Sequence, residues 1–73
     1  MNKEEFEKEW KETNILCKTR KLSAIMSIHF GNVTIYADNF TYSDYGISTV
    51  VFYRNNYEIA EANIKEIKLV GLE

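Results

Sequence analysis

Gly31-Asn32 constrains this chain more than any other pair of neighbours. It separates two apolar-rich runs, residues 22–30 (LSAIMSIHF) and the start of 33–42 (VTIYA). A two-residue loop with glycine first is the type II′ connection of a β-hairpin. Such a loop sets the register of the strands it joins. Phe30 is expected opposite Val33, Ile28 opposite Ile35 and Met26 opposite Ala37, all on one face. The other face pairs His29 with Thr34, Ser27 with Tyr36 and Ile25 with Asp38. One face is almost wholly apolar and the other mixed, as a half-buried antiparallel sheet requires.

With 73 residues, the chain makes one domain, 1–73, and a small one. A folded chain of this size buries only roughly 60% of its unfolded surface, so its stability is thin and pairing with a copy or a partner would add to it. The staples that small domains use are missing. Cys17 is the single cysteine and His29 the single histidine, so neither an internal disulfide nor a structural zinc site is expected. No cofactor is expected either. A reducing, cytoplasmic setting fits this cysteine usage. The N-terminus is charged rather than signal-like, and no apolar run approaches the length of a membrane span. The net charge of −2, with both signs dispersed, argues against non-specific attachment to nucleic acid or membranes.

Residues 2–14 read as a helix, with Asn2 as cap and Glu5 as its capping-box partner. The apolar stripe is narrow: Phe6, Trp10, Thr13 and then Cys17. It docks the helix on the sheet, or else on a partner or second copy, because so thin a stripe does not hold a helix alone. Lys18-Thr19-Arg20-Lys21 is the one basic cluster. Cations there complement the helix dipole without any ligand, and the alternative is contact with a phosphate or an acidic partner.

After the hairpin, Asp38-Asn39 breaks the alternation. Either strand 33–42 continues with Phe40 and Tyr42 on the mixed face, or a bulge swings both rings inward. Ser43-Asp44-Tyr45-Gly46 reads as a turn, 47–54 (ISTVVFYR) as a strand buried on both faces, and 57–62 as its partner. Asn55-Asn56 between them suits a type I′ turn, since asparagine tolerates positive φ. A helical turn around Asn63-Ile64-Lys65-Glu66 and a last strand over 67–70 complete the order. The expected fold class is α+β: an N-terminal helix and a four- to five-stranded antiparallel meander, forming a curled sheet or a small SH3-like barrel.

No catalytic constellation stands out. Cys17 and His29 form the one conceivable thiolate–imidazole pair, but nothing in the sequence orients His29. The carboxylates show no paired acid–base spacing. What exceeds expectation is the aromatic run from Tyr36 to Tyr57, in a chain with five tyrosines. A sheet this small does not bury all of them on one face, and exposed tyrosine suits protein interfaces. Asp38, Asp44, Glu58 and Glu61 lie among these rings, whereas single-strand binding uses interleaved Lys and Arg. A protein partner is therefore favoured over nucleic acid.

The element order, ending in YEIAEANIKEIKLV (57–70), resembles a small SH3-like or Sm-like barrel. Sm-like RNA-binding proteins carry a glycine and an acidic residue at set places in strands two and three. VTIYADNF and ISTVVFYR contain no glycine, so no functional residue is carried over. A very short, acidic, Tyr- and Asn-rich chain also resembles small accessory proteins of bacteriophages and mobile elements. That resemblance implies binding to, and inhibition of, a host protein such as a defence factor.

The expected function is non-catalytic protein binding, with Tyr36, Asp38, Phe40, Tyr42, Asp44, Tyr45 and Tyr53 as the contact residues. Two alternatives belong to other classes. One is a small-barrel nucleic-acid binder using Lys18, Arg20, Lys21 and Arg54. The other is a nucleotide or small-molecule sponge formed at an oligomer interface. A homo-oligomer, dimeric or larger, is expected because an exposed strand edge is able to pair two copies.

Overall fold

A computed structural model describes residues 1–20, 25–43 and 48–72. The expectations placed on Lys21, Asp44, Tyr45 and Gly46, and on the start of strand 22–30, lie outside the described residues. Among the described residues the chain is one helix, α1 (Lys3–Thr19), followed by six strands. These are β1 (Met26–Phe30), β2 (Val33–Ala37), β3 (Asn39–Tyr42), β4 (Thr49–Arg54), β5 (Tyr57–Asn63) and β6 (Ile67–Leu72). A 3-10 turn, Ile64–Glu66, separates the last two. All pairings are antiparallel, in two three-stranded sheets of order β2-β1-β6 and β3-β4-β5. The fold is α+β, and the sheets form an open curl rather than a closed barrel. No described helix is long and apolar enough to cross a membrane.

The hairpin register is the one its loop dictates. Gly31 has φ +56°, and β1 pairs β2 through Met26–Ala37, Ile28–Ile35 and Phe30–Val33. Pairing stops at Met26–Ala37, so Ile25 has no partner in Asp38. At Asp38 the second strand bends and changes sheets. Its backbone N–H donates to the Tyr53 carbonyl at 2.9 Å, and its carboxylate accepts from the Asn55 N–H at 2.9 Å. Asn55 and Asn56 take φ of 53° and 68°, the left-handed pair that a type I′ turn needs. Asp38 thus ties the bend to the β4–β5 turn.

The bend also inverts the face on which side chains fall. Ala37 points to the core, and strict alternation would then send Phe40 outward. Instead Phe40 and Tyr42 pack against the core cluster. This is the inward option for the two rings, and it splits strand 33–42 in two, giving six strands instead of five.

The core comprises Phe6, Met26, Ile28, Ala37, Val50, Phe52, Ala62, Ile64, Ile67 and Val70. Helix α1 closes one side of it. Asn2 caps the helix as its sequence implies, its side-chain oxygen accepting from the Glu5 N–H at 2.8 Å. Phe6 is wholly buried, Thr13 and Cys17 are buried, and Trp10 is half-buried. The burial of Cys17 extends the helix to Thr19, five residues beyond the expected end at 14. Phe6 meets Phe40 edge-on at 4.8 Å between ring centroids, and Trp10 meets Phe40 at 4.7 Å. Each such ring pair adds about 0.5–1.5 kcal/mol beyond the area it buries. The stripe on α1 therefore docks on the chain's own sheet.

Candidate functional site

The side of β3-β4-β5 turned away from the core carries two exposed glutamates beside a hydrogen-bonded Thr41–Tyr53 pair. The cross-strand rows there are Thr41–Val51–Glu61 and Asn39–Tyr53–Glu58. Val51 is buried and forms a floor, Tyr53 is half-buried, and Thr41, Glu58 and Glu61 are exposed. The Thr41 hydroxyl donates to the Tyr53 hydroxyl at 3.3 Å, which orients the phenol across the strands. A hollow of about 470 Å3 lies over this surface, with Tyr42 and Ser43 completing its lining.

A bulge in β5 assembles the acidic part. The turn sets Arg54 opposite Tyr57 and Tyr53 opposite Glu58, but Phe52 then pairs with Ala60. Ile59 is the extra residue. Without the bulge, Ile59 would pair with Phe52 and Glu61 would fall opposite Val50, on the core side. With it, Glu58 and Glu61 share the outer face, and Ala60 and Ala62 pack inward beside Phe52 and Val50. Two carboxylates on a rigid sheet, with no cation of the described chain paired to either, make a negative surface that favours a cationic group.

The sequence-derived contact residues do not all belong to this face. Tyr53 does. Tyr36 is exposed, but on β2 in the other sheet, opposite Ser27. Asp38 spends its carboxylate on the Asn55 N–H. Phe40 lies in the aromatic cluster under α1. The Tyr42 hydroxyl donates to the Glu7 carboxylate at 2.8 Å, and the Lys3 ammonium sits 5.2 Å from its ring centroid. Partial burial, the hydrogen bond to Glu7 and the charge of Glu7 hold the Tyr42 phenol well above the usual tyrosine range. Phe40 and Tyr42 therefore fasten the helix: the parity change at Asp38 turns both rings toward the core cluster, while Tyr42 still contributes to the lining of the hollow. Asp44 and Tyr45 lie outside the described residues.

The basic residues sit on separate elements. Lys18 is in the last turn of α1 and Arg20 is its C-cap, whereas Arg54 ends β4. Cys17 is buried on α1 and His29 lies on β1, where its Nδ1 is hydrogen-bonded with the Thr34 hydroxyl at 3.0 Å. Among the described residues no group of three or more His, Cys, Asp or Glu side chains is arranged to hold a metal ion.

Glu58 and Glu61 are visible among the aromatics in the sequence, but not as a pair on one face. The available signal was the conflict within YEIAEA, where strict alternation from the turn puts a glutamate toward the core. Compared with protein-family models, curated proteins and solved structures, the chain matches none.

Proposed function

We propose that this chain is a non-catalytic protein-binding module whose contact surface is the outer face of β3-β4-β5. The observation that carries the reading is the hollow over Thr41, Val51, Tyr53, Glu58 and Glu61. Its floor is apolar, one wall holds an oriented phenol, and two carboxylates lie on the same face with no cation paired to them among the described residues. Such a surface suits an extended partner segment bearing Lys or Arg, whose alkyl stem covers Val51 and Tyr53 while its head meets the glutamates. A module of this kind inhibits its partner wherever the covered segment is a working surface, which is how a phage-type inhibitor of a host protein would operate. A cytoplasmic setting accords with the single buried thiol.

Calorimetric titration with a synthetic peptide of alternating lysine and threonine tests the reading. The wild-type chain is expected to bind it, and the Glu58→Gln/Glu61→Gln variant to bind at least about tenfold more weakly, each lost charge-assisted hydrogen bond costing ~1 kcal/mol or more. Lys18→Gln/Arg20→Gln is expected to bind as well as wild type or better. Equal binding by wild type and the glutamate variant, or none at low ionic strength, would overturn it.

A further inference from the structure

The glutamates of the outer face stand on an edge strand. β5 is the last member of the order β3-β4-β5, and β4 is its single neighbour in that sheet among the described residues. Tyr57 is 76% exposed, and Glu58, Ile59, Glu61 and Asn63 are exposed as well. No proline blunts this edge.

One hydrogen bond fixes the direction of each backbone group beyond the bulge. The Ile64 N–H donates to the Ser48 carbonyl at 2.7 Å, one step past the Thr49–Asn63 pair. In an antiparallel ladder, hydrogen-bonded pairs alternate with pairs that are not bonded. Val50–Ala62 and Phe52–Ala60 are therefore the bonded pairs, and Glu61 and Asn63 turn their N–H and C=O groups away from β4. The other side of β4 agrees. There the Ser43 N–H donates to the Thr49 carbonyl at 2.9 Å, so Thr49 and Val51 direct their backbone groups to β3. Glu61 thus combines a backbone donor and acceptor at the open edge with a carboxylate on the outer face.

These two features select the same kind of strand. In an antiparallel addition, the residue opposite Glu61 exchanges both backbone bonds with it and places its side chain on the same face. That residue extends the Thr41–Val51–Glu61 row by one member. A lysine in this place sets an ammonium beside the carboxylate, and lysines at every second residue all fall on the glutamate side. A second copy of β5 laid on the first about Glu61 would instead set carboxylate against carboxylate, a destabilising pair.

We propose that the partner segment binds by strand addition, an extended chain with lysine at every second residue joining β5 antiparallel at Glu61. This rests on the reading of the outer face as a surface for a lysine-bearing segment, and it adds the backbone pairing that fixes the segment's direction and register.

Calorimetric titration with two further forms of the alternating lysine–threonine peptide tests this, one with a methyl on the backbone nitrogen of every lysine, the other of every threonine. Successive N–H groups of a strand point to opposite edges, so each form blocks one edge only. The lysine-methylated form is expected to bind at least about tenfold more weakly than the unmodified peptide, and the threonine-methylated form within about threefold of it. Hydrogen exchange at the Glu61 N–H is expected to slow when the unmodified peptide is added. Equal affinities of the two methylated forms, the reverse order, or unchanged exchange at Glu61 overturns the proposal. If the unmodified peptide binds through Glu58 and Glu61 while the methylated forms are equal, the outer-face reading stands and strand addition fails. An unmodified peptide that does not bind overturns both.

Discussion

Replacing Phe6 with alanine is expected to remove a large share of the stability of this domain. Phe6 has no exposed surface, and its ring centroid lies 4.8 Å from that of Phe40, 5.9 Å from Trp10 and 6.1 Å from Phe52. Truncating a buried phenylalanine to alanine costs about 3–5 kcal/mol in transfer and cavity terms. At ~0.05–0.15 kcal/mol per residue, a domain of this length has about 4–11 kcal/mol in total. Phe6→Ala is therefore expected to lose between roughly a quarter and all of that stability. Phe6→Leu keeps most of the volume and is expected to cost about 1–1.5 kcal/mol, lowering a urea midpoint by roughly 1 M at an m of ~1 kcal/mol/M. Urea titration followed by fluorescence reads both, because Trp10 is the single tryptophan and sits in the same aromatic cluster. A loss below about 1 kcal/mol for Phe6→Ala would refute the claim that the helix is fastened through this ring.

Three further outcomes follow from local geometry. Because Tyr42 has a raised pKa in the fold, its contribution is intact below the ordinary tyrosine pKa and is lost as pH rises through the folded value. Alkaline titration of phenolate absorbance is expected to show one late-ionising tyrosine, absent in Tyr42→Phe; an unchanged profile in that variant would contradict the assignment. Asn2→Ala removes the acceptor for the Glu5 N–H and is expected to cost about 1 kcal/mol in chemical denaturation, with reduced helical dichroism. Deleting Ile59 removes the unpaired residue and leaves Ala60 opposite Phe52 and Glu61 opposite Val51, so the variant is expected to keep cooperative unfolding; a variant that fails to fold would show that the bulge itself is needed.

Much of the fold is legible in the sequence because local rules act there without competition. Gly31 and the Asn55-Asn56 pair each demand a turn of known hand, and each turn sets a register that the strands follow. Asn2 and Glu5 announce the helix start in the same way. Its end is not local: residues 15–19 continue the helix because Cys17 is buried, and burial is a tertiary fact. The two breaks in alternation, at Asp38 and at Ile59, divide the candidate site. Each shifts side chains between faces by one residue, so the first turns Phe40 and Tyr42 toward the core and the second brings Glu61 to the outer face. The conflict at Asp38 was visible as two alternatives, while packing under α1 decided between them.

Amide-shift mapping by NMR, titrating the isotope-labelled chain with the alternating lysine–threonine peptide, addresses the binding face most directly. The expected result is a contiguous set of shifted amides at Thr41, Val51, Tyr53, Glu58 and Glu61, with Lys18 and Arg20 unmoved. Shifts confined to the end of α1, or no shifts at low ionic strength, would contradict a protein-binding surface on β3-β4-β5.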